Sequence, residues 1–234
     1  MAAMSDLEPR PTQLLDMLSA SAWWTGLDGA QRQRVTAEVE ERRFTGGTVV
    51  MRRGETVEAW TGVIEGLVKM SSVSAAGKSV TFTGVGAGGW FGEGSLLKNE
   101  ARKYDIVALR DTKMAWMPRS TFDWLLSTSI AFNRFLLMQL NERLGQFIGL
   151  VEYERMLEPD ARVARCLAEM FNPLLYPGHR NELEISQEEI GYLSGVSRQR
   201  VNQALQVLAR AKLVEIEYGS VRIVDLAALR RYGS

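Results

Sequence analysis

The sequence predicts an α+β chain with an N-terminal β-roll or jelly-roll, one long helix and a C-terminal winged helix-turn-helix. Short β-rich runs separated by glycines fill Gly46 to about Met117, the pattern of a sandwich or barrel. From Ile130 to about Leu157 apolar residues recur at helical spacing, and no proline intervenes until Pro159. Ile185 to Leu213 then reads as two short helices around Gly195, and Leu213 to Val224 alternates apolar and polar residues on both sides of Gly219-Ser220.

Composition sets the outer limits. The 234 residues allow one or two domains with their own cores, and 46% hydrophobic with 24% charged residues is the balance of a soluble globular protein. Lys plus Arg and Asp plus Glu both total 28, so net charge says nothing about partners. No apolar run is long enough to span a membrane and the N-terminus lacks a signal-peptide pattern, which predicts a cytoplasmic protein with no membrane partner. Cys166 is the only cysteine and His179 the only histidine. Together they leave no basis for a disulfide, a metal site, an iron–sulfur cluster, a haem or a Ser-His-Asp triad, and the chain reads as a non-enzyme. Cys166 falls on an apolar helical face and reads as an inert buried thiol; His179 reads as a solvated loop residue.

Residues 1–24 read as an N-terminal arm leading into a helix, the arm being 1–12 with Pro9 and Pro11. Leu14 to Arg43 reads as short helices packed by Trp23 and Trp24, and 25–129 as the β-roll domain closed by a short helix over Ser120 to Ser129. Along 130–157, Leu137, Leu140, Leu144, Phe147 and Val151 form one stripe, broadened by Phe135, Leu136, Ile148 and Leu150. One side can cover the roll and the other can meet a second copy, so this helix is the expected homodimer seam. Pro159 ends it and marks a hinge, with 158–234 as the next domain. A helix over Arg162 to Phe171 and a loop over Pro173 to Asn181 precede the helix-turn-helix.

There, Ser186 and Glu189 have capping-box spacing, Ile185 and Ile190 staple spacing, and Ser197 can cap the second helix. That helix places Val201, Ala204, Leu205 and Leu208 on one face and Arg198, Gln199, Asn202, Gln203 and Gln206 on another. No acid occurs from Ser194 to Val214, whereas Arg198, Arg200, Arg210 and Lys212 are cationic. Amides pair bidentately with adenine and guanidinium with guanine, so the face suits the major groove of double-stranded DNA. The candidate DNA contacts are Ser186, Ser197, Arg198, Gln199, Arg200, Asn202 and Gln203, with Ser197 and the helix start at a phosphate.

These motifs resemble the Crp/Fnr family of bacterial transcription regulators from about residue 25 to the C-terminus. The resemblance rests on Gly47, Gly54-Glu55, Ile64-Glu65-Gly66, Gly77-Lys78 and Gly89-Trp90-Phe91-Gly92-Glu93 in order, followed by the long helix and the winged helix-turn-helix. It implies a cyclic-nucleotide-binding-like roll that senses a cyclic nucleotide or another small anionic effector, a homodimer on a palindromic operator, and RNA polymerase as a partner. It implies effector contacts from Gly92, Glu93, Gly94, Ser95 and Arg102. The chemistry is intelligible: backbone N–H groups of a glycine turn and the Arg102 fork can hold a phosphate, and Glu93 can accept from a ribose hydroxyl. Lys103 stands where cyclic-AMP binders tend to have serine, and Phe147 and Ile148 stand where hydroxyl side chains meet the adenine. Those departures point away from cyclic AMP itself. Without a ligand, Glu93 and Arg102 read as a partly buried ion pair, and the roll as an effector-independent dimer scaffold. A cupin-like jelly-roll enzyme is the alternative from another class, and it lacks the histidines it needs.

Overall fold

The computed structural model describes residues 12–74, 77, 79–156, 158–177 and 181–233, so the expectations for the arm over 1–11, Lys78, Leu157 and His179 lie outside the described residues. Helices α1 (Thr12–Ala20) and α2 (Gly29–Glu38) open the fold. Asp28 caps α2, accepting from the Gln31 amide at 2.8 Å while Gln31 returns a side-chain acceptor to Asp28 at 3.1 Å. Trp23, buried between the two helices, packs with Trp60, Trp90 and Phe132, so an aromatic cluster fastens the N-terminal helices to the roll.

The roll comprises β1 (Glu40–Phe44), β2 (Val49–Met51), β3 (Ala59–Glu65), β4 (Leu67–Val73), β5 (Ser79–Gly86), β6 (Trp90–Phe91), helix α3 (Glu93–Leu97), β7 (Asp105–Ala108) and β8 (Thr112–Pro118). Its strands form two antiparallel sheets, ordered β1-β8-β3-β6 and β2-β7-β4-β5. Val63, Phe91 and Met114 from the first sheet meet Met51, Val68, Val85 and Ile106 from the second in one core. The expected helical region to Arg43 thus ends early. Glu40 to Phe44 is an edge strand whose charges pair along it, Arg42 with Glu40 and Arg43 with Glu41, an arrangement that discourages further strand pairing.

Helix α4 (Arg119–Thr128) leads into α5 (Ile130–Met156). Helix α5 buries Phe132, Leu136, Gln139 and Arg143, and exposes Leu137, Leu144, Ile148 and Val151. Helix α6 (Pro159–Glu169) starts with Pro159 in its first turn, ahead of the expected Arg162, because proline's fixed φ and missing N–H suit that position.

The C-terminal unit contains β9 (Glu182–Glu184), α7 (Gln187–Ser194), α8 (Arg198–Arg210), the wing strands β10 (Val214–Glu217) and β11 (Ser220–Ile223), and α9 (Leu226–Arg231). Both halves of the Ser186/Glu189 capping box form, at 3.2 and 2.6 Å, and Ile185 and Ile190 are buried beside it. Gly195 ends α7 at φ 65°, a left-handed cap that glycine adopts without strain. Strand β9, absent from the sequence reading, pairs with β11 and widens the wing to three strands. Val201, Ala204, Leu205 and Leu208 are wholly buried against α6 and α7.

Candidate DNA-reading face and effector chamber

The exposed side of α8 follows from the burial of its apolar side. Arg198, Gln199, Asn202, Gln203 and Gln206 all face solvent, and Ser197 caps the helix by accepting from the Arg200 amide at 3.3 Å. Among the described residues Arg198 and Gln199 are engaged by no hydrogen bond or ion pair, which leaves both side chains available. Asn202 accepts from Gln187 at 3.3 Å, and Gln203 accepts from Arg200 at 3.0 Å. Arg200 also pairs with Asp160 at 3.3 Å and is half-buried, so it ties α8 to α6 as well as flanking the face. Ser186 is exposed, with its hydroxyl spent on the capping box. A groove of about 500 Å³ runs between the start of α7, Arg198 and the wing turn. Its wall includes Gln187 and the fully exposed Tyr218, neither of which the sequence reading singled out; an aromatic at the apex of a wing turn was the available signal.

The effector candidates separate into two groups. Gly92, at φ 95°, and Glu93 are buried, while Gly94 and Ser95 are half-buried at the start of α3. Arg102 is 5% exposed, and a side chain built on Gly92 would meet its Nη1 at 3.8 Å, so the guanidinium lies beside the glycine turn. Glu93 and Arg102 are not an ion pair: the Glu93 carboxylate instead accepts from the Trp60 indole N–H at 3.4 Å. Lys103 points outward and pairs with Glu100 at 3.0 Å. Ile148 is 61% exposed and Phe147 half-buried on α5.

The helix sends other residues inward. Arg143, 6% exposed, donates to the Trp90 carbonyl at 2.9 Å and to the Tyr176 hydroxyl at 3.3 Å, and Gln139 donates to the same carbonyl at 3.2 Å. Sequence reasoning missed Gln139 and Arg143 because polar residues on a long helix ordinarily mark its solvated face. Tyr176 is wholly buried with its ring in the core of the roll.

Glu93, Arg102, Tyr104 and Arg143 share one low-dielectric interior. Burial pushes the Arg102 guanidinium below its ordinary pKa, opposed in part by Tyr104 and Glu55. Burial opposes the Arg143 charge too, but the neighbouring Tyr176 and Glu93 outweigh it and hold that pKa up. Burial, and then Glu93, raise the Tyr104 phenol. The Nε atoms of both arginines are buried without a hydrogen-bond acceptor, and neither guanidinium pairs with a carboxylate among the described residues. Arg143 is met by neutral acceptors, the Trp90 carbonyl and the Tyr176 hydroxyl, rather than by a carboxylate, and a buried cation without a counter-ion is costly, so this interior is suited to an anion. Arg102 also lines a cleft of about 430 Å³ with Arg42, Arg43, Glu55 and Trp116, a size in the range of small-molecule sites. Among the described residues no cluster of three or more His, Cys, Asp and Glu could hold a metal, and no helix is long and apolar enough to cross a membrane.

Comparison with known sequences matches residues 41–129 to the cyclic nucleotide-binding domain and residues 161–232 to the Crp-like helix-turn-helix domain. The chain belongs to the Crp/Fnr family. Within that family it is 29% identical to the transcriptional regulator SdrP of Thermus thermophilus over 178 residues, 72% of this chain and 80% of that one. It is 26% identical to the cyclic AMP receptor protein of the same organism, over 91% of this chain and 96% of the relative. The structure of FixK2 from Bradyrhizobium japonicum shares the fold, with a TM-score of 0.70 at 17% identity over 84% of this chain and 98% of that one. This Crp/Fnr protein is accordingly a transcription regulator that couples a cyclic-nucleotide-binding-like roll to a DNA-binding helix-turn-helix.

Proposed function

We propose that the chain is a homodimeric, sequence-specific DNA-binding regulator without enzymatic activity, whose roll answers to a small anionic effector. The reading is carried by the acid-free, solvent-facing side of α8, where Arg198 and Gln199 stand unengaged next to Gln203. Arg198 and Gln199 reach base edges, and Ser197 with the start of α8 meets a phosphate. Asn202, Gln203 and the rim residues Ser186 and Arg200 complete the contact. Pairing of the exposed α5 stripe with a second copy supplies the two-fold symmetry. The recognition helices then sit roughly 34 Å apart on a palindromic operator. The cytoplasm is the place of action, and RNA polymerase is the partner that the family resemblance implies.

The effector reading draws on Arg102 and Arg143, buried guanidiniums whose Nε atoms lack an acceptor and which pair with no carboxylate among the described residues, with Glu93 as acceptor for a ligand hydroxyl. Relatives named as cyclic AMP receptors support a cyclic nucleotide as one class of ligand. A scaffold roll that needs no effector draws instead on Tyr176, which already fills part of the interior. Titrating full-length protein onto a labelled operator, with and without cyclic AMP, cyclic GMP or cyclic di-GMP, tests both readings. Tighter binding with one of them supports the sensor, and affinity indifferent to all three favours the scaffold. No preference over scrambled duplex contradicts the DNA-reading proposal itself.

A further inference from the structure

The segment that follows α6, 172–177, leaves the C-terminal unit and enters the roll. Asn172 turns the chain there, its Oδ1 accepting from the Leu174 and Leu175 amides at 3.0 Å each. Leu175 and Tyr176 then join Val85, Phe91 and Met114 in the core between the sheets. The Tyr176 hydroxyl donates to the Gly84 carbonyl at 2.9 Å and accepts from Arg143 at 3.3 Å and Gln146 at 3.2 Å, with Thr83 at 3.5 Å. A phenol that meets four polar partners in an apolar chamber behaves as a bound ligand would. The roll leaves room for the segment's backbone: a Cβ on Gly89 would lie 3.0 Å from the Leu175 carbonyl oxygen.

The same segment brings α7 down onto the roll. Arg110 makes a two-pronged contact to Glu189 at 2.9 and 2.6 Å, and the Lys69 ammonium lies 4.4 Å from the Tyr192 ring centroid. Leu67 of β4 packs into the core of the helix-turn-helix. The DNA-reading side of α8 stays exposed in this arrangement. What docking constrains is therefore the position of the helix-turn-helix, not access to it.

We propose that Tyr176 is an internal ligand of the effector chamber, a latch that holds the helix-turn-helix against the roll until an anion takes Arg143 from it. Arg143 is the shared part: it faces Tyr176 and, electrostatically, Glu93 of the glycine turn. An anion seated between Arg102 and Arg143 competes for that guanidinium, weakens the hold on Tyr176, and frees 172–177 and α7 to move. A rival pocket between β5, α5, α6 and α7 holds only about 50 Å³, too little for a nucleotide.

The latch rests on the effector reading for its trigger but not for its existence, and the experiment separates the two. Full-length wild type and Tyr176→Phe are compared by hydrogen exchange without ligand, the variant keeping the ring and losing only the hydroxyl. Exchange on the order of tenfold faster in peptides spanning 172–177 and 187–194, with β3 and β8 unchanged, is the expected result. Equal protection in both proteins overturns the latch. A second arm adds cyclic AMP, cyclic GMP or cyclic di-GMP and measures affinity by calorimetry. Tighter binding to Tyr176→Phe than to wild type supports displacement, and equal affinity for the two overturns it. Failure of all three to bind either protein counts against the effector reading, and the ligand-free exchange data still decide the latch.

Discussion

Replacing Leu144 by aspartate sets a charge in the middle of the exposed stripe of α5. In one protomer Leu144 is 58% exposed, and Leu137 and Ile148 along the same helix are 67% and 61% exposed. Burying a whole leucine contributes about 1.5–3 kcal/mol, so covering the remaining surface of Leu144 is worth about 1–1.5 kcal/mol per protomer. A two-fold seam counts that contribution twice, about 2–3 kcal/mol, and a pair of carboxylates facing each other there adds a desolvation and repulsion cost. The sum is about 4 kcal/mol or more, so the dimer dissociation constant rises by roughly a thousandfold. Because Leu144 faces away from its own roll, the substitution leaves the protomer fold intact, and circular dichroism of the dilute variant serves as the control. Sedimentation equilibrium at micromolar concentration reads the outcome directly. A variant that dimerises as tightly as wild type refutes the assignment of the seam to α5, and a wild type that stays monomeric refutes the dimer.

Three further outcomes follow from the same structure. Glu189→Gln removes the charge shared by the Ser186 cap and Arg110; with Arg110 partly solvated the loss is about 1–2 kcal/mol, and melting falls by roughly 3–6 °C in calorimetry, whereas an unchanged melting point shows that this contact holds nothing. Arg198→Ala weakens operator binding by about 1–3 kcal/mol and relaxes specificity at one base pair, as competition with single-base operator variants reveals; equal weakening on every sequence marks Arg198 as a phosphate contact instead. Cys166 is half-buried, not wholly buried as its helical face suggested, and desolvation pushes its thiol up from 9.0 to about 12, so little thiolate is present at pH 8 and alkylation of the native protein is slower than that of the unfolded chain; equal labelling rates for the two contradict the shift. Through linkage, the unfolded thiol ionises first, and stability from this group declines as pH rises from about 9 to about 12.

The parts visible in the amino-acid text are those whose signals are local. Caps, staples and periodicity need only neighbouring residues, so the helix-turn-helix, the wing and the proline boundary at α6 follow from Ser186, Glu189, Gly195, Ser197, Gly219 and Pro159. Strand β1 was hidden because an edge strand is free to carry Glu-Glu-Arg-Arg, which also suits a helix. Strand β9 spans three residues, too short for a period to register. Within the chamber, the glycine turn announced Gly92, Glu93 and Arg102, but nothing local distinguishes Arg143 from a solvated arginine or Tyr176 from an ordinary loop tyrosine. Their roles depend on contacts between residues 30 to 92 positions apart, from Tyr176 to Arg143, Gln146 and Gly84. Glu189 shows both levels at once: its capping role lies three residues away and its pairing with Arg110 lies 79 away.

Selection of bound duplexes from a random library by the full-length protein tests the central claim most directly, because it reads DNA binding, symmetry and half-site preference together. The account predicts a palindromic sequence with half-sites about one helical turn apart, and loss of preference at one position per half-site when Arg198→Ala is used. Enrichment of no sequence, or of a single site without two-fold symmetry, contradicts a homodimer that reads DNA through α8.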